Sequence, residues 1–501
     1  MKDKILFFVD GWFFHYGIAR DLQNKYDCDI FAIIDVEDKA KQFFEHQSFV
    51  DFKKTWYHLD NISYPKKPDL NYLENIEEKY NIDLWKIAYS DRYFYRYNKF
   101  HKFDRNEILS LLEQECRFFD KVLEETKPNF LATFIPIHHH HFLLHQMCEN
   151  SGITPLTLAT VKLWKRMMIS KKPFIFDLPL AQNNTESKIM QDEDLQEFLK
   201  NYDPSRQMNA KKKANFEDNK IQRYNSIFKF FITPNTVSFK KKYSNYGRTK
   251  HTVFKNKVLN HFQKNNRKSF LDKHSTKDID THLNFIYFPL HYEPERILLV
   301  DNPYHSDQIS VISNIAKSIP VGYELFVKEH PFMETIGWRD TSFYKELLKL
   351  SNVKLIHPSV KNDEIIKKSS LVIAIAGSTI IEAAFYKKPS IVFAHQLFSI
   401  LSSVTTLEKI EDLPGAIKKS LETKFDYNTS LKNFITIIEN NSFEFDFLGL
   451  AAEFAYKFGF KGPVMDSYLN PEEIKNFLDK HKESFSMLSD EYIRKIKFHN
   501  Q

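Results

Sequence analysis

The chain has 501 residues with a hydrophobic fraction of 42%, so it is too long for one ordinary core, and two domains are expected. No stretch reaches the roughly 20 apolar residues that a membrane-spanning helix needs, and the N-terminus lacks the core and cleavage site of a signal peptide. Its three cysteines (Cys28, Cys116 and Cys148) are too widely spaced for a zinc cluster or a disulfide framework, so we expect a cytoplasmic protein.

The first region, residues 1–180, alternates strand-like and helix-like segments. Strands are predicted at Ile5–Val9, Ile30–Ile34, Phe130–Ile135 and Thr154–Ala159. Helices are predicted at Gly11–Leu22, Asn106–Glu125 and His139–Asn150. This alternation predicts an N-terminal α/β domain whose parallel sheet carries helices on both faces.

Residues 181–280 break this alternation and are interpreted as a basic insertion or linker. Within them, residues 206–277 contain nineteen Lys and Arg against three acidic residues, so the rest of the chain is net acidic although the total charge is +6. Aromatic residues interleave these cations, a composition typical of surfaces that bind anionic partners. We predict attachment to an anionic membrane surface or acidic glycan, with no nucleic acid expected; a solvated, lysine-biased insertion is the alternative.

The alternation returns over residues 281–425, which predicts a second doubly wound α/β domain. Its strands are predicted at Phe285–Leu290, Tyr323–Val327, Val353–Ile356, Leu371–Ile375 and Ser390–Phe393. Helices are predicted between them at Ser306–Ser318, Ser342–Leu350, Asp363–Lys368 and Thr379–Tyr386. Residues 426–501 are predicted to form a helical tail.

A candidate anion site follows the apolar strand that ends at Ile375. Gly377 allows a tight turn, and the hydroxyls of Ser378 and Thr379 stand beside free backbone N–H groups at the start of a predicted helix. Glu382 lies one helical turn further on and is a candidate acceptor for ribose hydroxyls. The alternative is an ordinary serine cap, with Glu382 in a surface ion pair.

Two further groups follow strands of the same domain. His330, on a turn that Pro331 terminates, is a candidate donor to a phosphate oxygen, and Lys328 adds positive potential. His291 and Glu295 follow the first strand of the domain. A second His-Pro pair at His357 shows that the dipeptide alone is weak evidence, and local capping of a turn is the alternative for His330.

The first domain carries candidates for a general base. Asp10 directly follows the first strand, and an acid at that position is suited to proton abstraction. Asp91, in an aromatic loop, and Glu115, on a long helix, are rival candidates. A run of four histidines, His138 to His141, lies nearby in the sequence with His145 one turn later. His141 and His145 have the i,i+4 spacing that suits zinc, but no acidic third ligand such as the glutamate of a His-Glu-x-x-His motif is present, so no metal site is predicted. One or two of these histidines are expected to line the cleft at a helix N-terminus.

The second half resembles the bacterial capsule polysaccharide biosynthesis family. The resemblance spans roughly residues 283–422 and rests on four segments in a shared order: Phe288–Glu295, Val327–Pro331, Asn352–Pro358 and Gly377–Pro389. The first half is similar more loosely, through Trp85–Arg92 and Glu113–Arg117. Two positions depart from the family pattern, since Ile380 and Lys387 stand where glycine is usual.

This resemblance implies a GT-B-like glycosyltransferase with two Rossmann-like domains facing a cleft. Related sialic acid and Kdo transferases use a His-Pro pair at the donor phosphate, which corresponds to His330-Pro331 here. The implied hydroxyls are those of Ser378 and Thr379, and the implied ribose-binding acid is Glu382. The expected substrates are a nucleotide-sugar donor and a glycan or glycolipid acceptor, with no metal and no other cofactor.

We therefore expect a metal-independent glycosyltransferase of surface polysaccharide synthesis, cytoplasmic and peripheral to the inner membrane. A polyol-phosphate transferase or a sugar-nucleotide epimerase on the same fold is one alternative. A non-catalytic component of polysaccharide assembly is the other.

Overall fold

The computed structural model describes residues 2–161, 163, 165–177, 237–279, 283–458 and 467–501, together with 193, 195 and 197. The described chain divides into two compact units. Unit 1 contains the described residues of 1–180, 237–250 and 441–501, and unit 2 contains those of 251–440. The predicted basic insertion lies outside the described residues except for its last part, 237–279, and residues 193, 195 and 197.

The strands in chain order are β1 Asp3–Asp10, β2 Cys28–Asp35, β3 Lys54–Tyr57, β4 Phe130–Phe134, β5 Thr154–Val161, β6 Arg166–Ser170, β7 Asn284–Pro289, β8 Tyr323–Lys328, β9 Val353–Ile356, β10 Leu371–Ala374, β11 Ser390–Val392, β12 Val404–Thr406 and β13 Phe443–Glu444.

The helices are α1 Phe14–Lys25, α2 Asp38–His46, α3 Leu70–Tyr80, α4 Leu84–Tyr89, α5 Arg105–Thr126, α6 His139–Asn150, α7 Val237–Lys241, α8 Lys250–His274, α9 Gln308–Ser318, α10 Met333–Ile336, α11 Thr341–Leu347, α12 Asn362–Lys368, α13 Thr379–Phe385, α14 Leu413–Glu422, α15 Tyr427–Asn441, α16 Phe447–Phe458, α17 Pro471–Lys480 and α18 Lys482–His499. No helix of the described residues is both long and apolar enough to cross a bilayer.

Unit 1 is built on a seven-stranded sheet in the order β13-β6-β5-β4-β1-β2-β3. The strands from β5 to β3 pair in parallel, whereas β6 runs antiparallel to both β5 and β13. Alternate residues of β1 enter different cores: Ile5 belongs to one, and Leu6 belongs to the other. Because successive side chains of a strand point to opposite faces, the sheet is covered on both sides, as the doubly wound prediction requires.

One face of this sheet is covered by residues far along the chain. Phe485, Tyr492 and other side chains of α18 belong to the same buried core as α1. The His15 Nε2 atom lies 2.8 Å from the Tyr492 hydroxyl, and a Cβ atom added at Gly17 would lie 2.3 Å from the Phe485 ring. The described residues of 441–501 are therefore a layer of unit 1, whereas the sequence predicted a helical tail over 426–501.

Unit 2 is built on a fully parallel six-stranded sheet in the order β12-β11-β10-β7-β8-β9. Chain order runs outward from β7 to β9 on one side and from β10 to β12 on the other. The reversal lies between β7 and β10, and such switch points open a crevice at the carboxyl ends of the strands. The predicted α/β class, with two doubly wound sheets, is confirmed.

The backbone conformation of Lys387, just after α13, can be tested by substitution. Lys387 adopts the left-handed conformation with φ of 55°, and its N–H donates to the Ala384 carbonyl. The next N–H, of Lys388, donates to the Ala383 carbonyl, so the helix ends in a Schellman motif.

Glycine is the favoured residue at that position. We expect Lys387→Gly to raise the free energy of unfolding by about 0.5–1 kcal/mol, because relief of left-handed strain exceeds the entropic cost of glycine. Urea denaturation followed by fluorescence measures the change. Lys388→Gly is the control, and a gain of equal size in it would contradict the explanation.

Candidate functional site

The switch point of unit 2 is held together by His291, which follows β7. Its Nε2 atom accepts a hydrogen bond from the Ala376 N–H at 3.2 Å, and Ala376 belongs to the turn after β10. Since Nε2 is the acceptor, Nδ1 carries the proton and donates to Glu295 Oε2 at 3.2 Å. Both ring nitrogens are engaged, so His291 joins the two turns rather than presenting a free donor.

Gly377 follows directly and requires its lack of a side chain. Its φ is 132°, a conformation that side chains rarely adopt, and a Cβ atom there would lie 3.4 Å from the His291 Cε1 atom. Ser378 takes the position before α13, but its hydroxyl makes no capping hydrogen bond, so the alternative interpretation as an ordinary serine cap is wrong. Thr379 begins the helix.

His330 lies beyond the next strand, β8, and Pro331 follows it. Its Nδ1 atom accepts a hydrogen bond from the Phe332 N–H at 3.1 Å, which places the ring proton on Nε2. Burial lowers the pKa of His330 to about 4, against the opposing effect of Glu295. The ring is therefore a neutral Nε2–H donor at physiological pH.

Lys328, at the end of β8, faces the Glu382 carboxyl group of α13. Both side chains are buried, and the Lys328 Nζ atom donates to Asn362 Oδ1 at 2.6 Å. Burial lowers the pKa of Lys328 to about 8, although Glu382 and Asp363 act to raise it. Burial likewise raises the pKa of Glu382 to about 7, with Lys328 opposing. Glu382 is not in the surface ion pair that was the alternative interpretation.

A buried ion network supports these turns, and sequence analysis did not identify it. The Arg339 guanidinium lies 2.6 Å from Glu293 and donates to Glu329 Oε2 at 2.9 Å. It also donates to the His291 carbonyl, while the Tyr344 hydroxyl donates to Glu329 at 2.6 Å. Arg339 lies in an irregular segment outside the recognised motifs, so no pattern of spacing marked it.

In unit 1, Asp10 ends β1 next to Asp35 of β2, and its Oδ1 atom accepts from the Trp12 N–H at 3.0 Å. Burial, aided by Asp35 and opposed by the Trp12 N–H, raises the pKa of Asp10 to about 7. Asp10 still retains partial exposure. A carboxylate that titrates near neutrality is well suited to general base catalysis.

The rival acids are enclosed instead. Asp91 is 0% exposed and accepts hydrogen bonds from the His139 Nδ1 atom at 3.0 Å and the Tyr243 hydroxyl at 2.7 Å. Burial acts to raise the pKa of Asp91, but the bonds to His138 and His139 hold it well below its usual range. Glu115 is equally buried and contacts His139. Neither carboxylate is accessible to a substrate hydroxyl, which leaves Asp10 as the candidate base.

The histidine run joins this enclosed cluster. His139 and His140, in the first turn of α6, are buried among Asp35, Asp91 and Glu115, together with His58 from a 3₁₀ turn. His141 and His145 point elsewhere, to the Thr133 and Thr157 hydroxyls. Sequence spacing did not reveal the cluster, because its carboxylates come from three separate elements.

A family model matches part of the chain. Residues 187–421 match the model described as capsule polysaccharide biosynthesis protein. No curated protein matches the chain at a significant level. The match includes every residue of the switch-point site in unit 2, and it agrees with the family whose motifs were recognised in the sequence.

Several solved structures are similar over most of the chain. A UDP-GlcNAc 2-epimerase from Methanocaldococcus jannaschii is 13% identical, with 88% of this chain and 100% of that chain covered and a TM-score of 0.24. The corresponding Neisseria meningitidis enzyme, bound to UDP-GlcNAc, is 12% identical, with 88% and 99% covered and a TM-score of 0.23. KpsC from Thermosulfurimonas dismutans, a beta Kdo 2,7 transferase, is 12% identical, with 75% and 97% covered and a TM-score of 0.30. TM-scores this low do not by themselves establish a shared fold.

Proposed function

Because residues 187–421 match the family model of capsule polysaccharide biosynthesis proteins, we propose that this chain is a glycosyltransferase of capsule or surface polysaccharide synthesis. It transfers a sugar from a nucleotide-activated donor to a glycan or glycolipid acceptor. The donor binds to unit 2, and Asp10 of unit 1 is the general base.

The observation that carries this proposal is the set of polar groups at the switch point of unit 2. His291 and Gly377 follow two adjacent strands whose chain order reverses, the position where open α/β sheets bind their ligands. On the next strand, β8, Lys328 supplies a cation and His330 a neutral N–H donor. Glu382 supplies a carboxylate for ribose hydroxyls. Together they match the polar groups of a nucleoside diphosphate or monophosphate.

The chemistry follows from these groups. The acceptor hydroxyl oxygen forms a bond to the anomeric carbon as the bond from that carbon to the donor phosphate oxygen breaks. Asp10 takes the hydroxyl proton, and the nucleotide leaves with the electron pair of the broken bond. Lys328 and the His330 N–H stabilise the negative charge that develops on the departing phosphate. Because these groups supply that stabilisation, we propose that the transfer requires no metal.

Calorimetry with CMP-, UDP-, GDP- and CDP-linked sugars tests the proposal. We expect one nucleotide class to bind and Glu382→Ala to weaken that binding. His357→Gln, in the second His-Pro pair, is the control because His357 pairs with Asp272 outside the site. Absence of binding to every donor would reject the enzyme. Donor binding that survives both Glu382→Ala and Ser378→Ala would reject the site.

Asp10→Asn is expected to lower kcat by about 100-fold or more, since a general base contributes roughly 10²–10⁴-fold. At saturating donor, the wild-type kcat should fall as pH drops below the Asp10 pKa of about 7, and this acidic decline should disappear in the variant. Rate measurements over pH 5–9 check both effects, and donor affinity should not change. An unaltered rate in Asp10→Asn would assign the proton transfer to another group.

Membrane attachment is proposed for helix α8, which lies within the described part of the basic segment. It exposes the apolar side chains Phe254, Val258, Leu259 and Phe262 and carries several lysines. We expect sedimentation with vesicles that contain anionic phospholipid, and weaker sedimentation with neutral vesicles or after Phe254→Ser and Phe262→Ser. Equal pelleting of the variant and the wild type would reject α8 as the attachment site.

A further inference from the structure

The enclosed cluster of unit 1 has a composition that the proposed transfer does not use. Glu115, His139 and His140 each offer a ligand atom, and the three atoms lie within 4.8 Å of one another. Two histidines and a glutamate are a known ligand set for zinc. A tetrahedral ion with bonds of about 2.0–2.2 Å holds its ligand atoms roughly 3.4 Å apart, so modest side-chain shifts would bring this set around one ion. All three residues are at most 4% exposed.

Several ligand atoms of this cluster lack partners. Glu115 Oε2, His140 Nδ1 and His58 Nε2 are buried and make no hydrogen bond to any described residue. The Glu115 carboxylate already pairs with His139 through a hydrogen bond between Oε1 and Nε2 at 3.0 Å, so a bound ion would replace the proton of that contact. Glu115 Oε2 lies 2.9 Å from the same Nε2 atom, and Glu115 Oε1 lies 3.7 Å from His58 Nε2. Unpaired buried polar atoms are costly, so their concentration around one carboxylate indicates a missing partner.

The opposite side of each histidine ring is held by a carboxylate. The Nδ1 atom of His139 is 3.0 Å from Asp91, and the Nε2 atom of His140 is 3.2 Å from Asp35. Metal-binding histidines typically contact a carboxylate in this way, because the contact fixes the tautomer and leaves the other nitrogen for the metal. Asp91 and Asp35 are therefore candidates for supporting residues rather than ligands.

Ring orientation distinguishes this trio from the other possible one. Asp35, His58 and His140 also lie within ligand distance of one another. However, the His58 and His140 rings are stacked at an interplanar angle of 18°, so their in-plane lone pairs do not converge. The His139 and His140 rings are inclined at 89°. His58 remains the nearest additional nitrogen through its unpartnered Nε2 atom.

We propose that Glu115, His139 and His140 bind a divalent transition-metal ion of the zinc class, supported by Asp91 and Asp35. The three ligands are buried in unit 1 on α5 and α6. The role of the ion is therefore structural, and the proposed transfer proceeds without it. It stabilises unit 1 by neutralising carboxylates that are withdrawn from water.

The test uses the full chain without a polyhistidine tag, expressed in zinc-supplemented medium. Plasma mass spectrometry should find about one zinc ion per chain. A strong chelator should lower the melting temperature, and added Zn²⁺ should restore it. Cobalt bound in place of zinc should give a visible absorption spectrum typical of an ion with a low coordination number and with nitrogen and oxygen ligands. Protein that contains no metal, and whose melting temperature does not respond to chelator or Zn²⁺, would overturn the proposal.

Variants locate the ion. His139→Gln and Glu115→Gln should contain no zinc, whereas Asp91→Asn should bind it roughly 10–100-fold more weakly in competition with a chromophoric chelator. His145→Gln is the matched control, because His145 lies buried on the same helix but pairs with Thr157. Full zinc content in both ligand variants, or loss only in the control, would overturn the assignment. If the ligand variants do not fold, the chelator and cobalt measurements on the wild type decide.

Discussion

Lys328→Met is expected to weaken donor binding by roughly 10–100-fold, because a hydrogen bond to a charged group contributes about 1.5–3 kcal/mol. The substitution keeps the unbranched stem in its buried position and removes only the ammonium group. Titration calorimetry with the best donor of the panel measures the loss.

The pH dependence of binding identifies the groups. Lys328 is protonated below its pKa of about 8, so affinity for the anionic donor should fall as pH rises above that value. Glu382 is ionised above its pKa of about 7, so affinity should also fall as pH drops below 7. Asp363 is the other charged group that affects both residues. The wild type should therefore bind best between about pH 7 and 8.

Each variant should remove one side of this profile. Lys328→Met should lose the alkaline decline, and its acidic decline should move to higher pH because Lys328 no longer lowers the pKa of Glu382. Glu382→Gln should lose the acidic decline. Identical profiles in the wild type and both variants would show that neither residue contacts the donor.

Arg339→Met is expected to destabilise unit 2 by about 3–5 kcal/mol, the usual cost of breaking a buried ion pair by removing one partner. Its guanidinium is almost fully enclosed, and its loss would leave the carboxylates of Glu293 and Glu329 without their counter-charge. Chemical denaturation measures the change. The contact with the His291 carbonyl would be lost too, so the switch-point turn should loosen.

A matched control separates charge burial from the loss of an arginine. Arg494 pairs with Glu491 on the surface, so Arg494→Met should cost about 0–1 kcal/mol. Adding Glu329→Gln to Arg339→Met should recover part of the loss, since it removes one of the unpaired charges. A cost for Arg339→Met no larger than that of Arg494→Met would show that the network contributes little to stability.

Much of the fold was predictable because its strands are short apolar runs between clear helix periods. The predictions at Ile5–Val9, Val353–Ile356 and Thr379–Tyr386 agree with β1, β9 and α13 to within a few residues. The edge strands β3 and β13 were missed, since they are short and only partly buried. The association of residues 441–501 with unit 1 is a long-range contact, which local periodicity does not report.

For single residues of the switch-point site, too, local sequence patterns predicted only part of what the structure shows. The order of the motifs identified these residues. Lys328 and His330 come at the end of a predicted strand, and Glu382 lies one helical turn after Ser378. Their protonation could not be predicted, since it depends on burial and on groups such as Asn362 and Phe332 that contact them only in the folded chain. The cluster around Glu115 could not be predicted from the sequence for a similar reason, because its members lie on separate elements.

The described residues of 441–501 help to cover one face of the unit 1 sheet, and this affects folding during synthesis on the ribosome. All of unit 2 is translated before α16, α17 and α18, so unit 2 can fold while one apolar face of unit 1 is covered only in part, by α1 and α2. That face includes Phe13, whose ring contacts the early residue Phe44 and also Phe454 of α16, which is translated after unit 2. A nonsense mutation after residue 440 would therefore leave unit 2 whole and convert unit 1 into a target for chaperones and proteases.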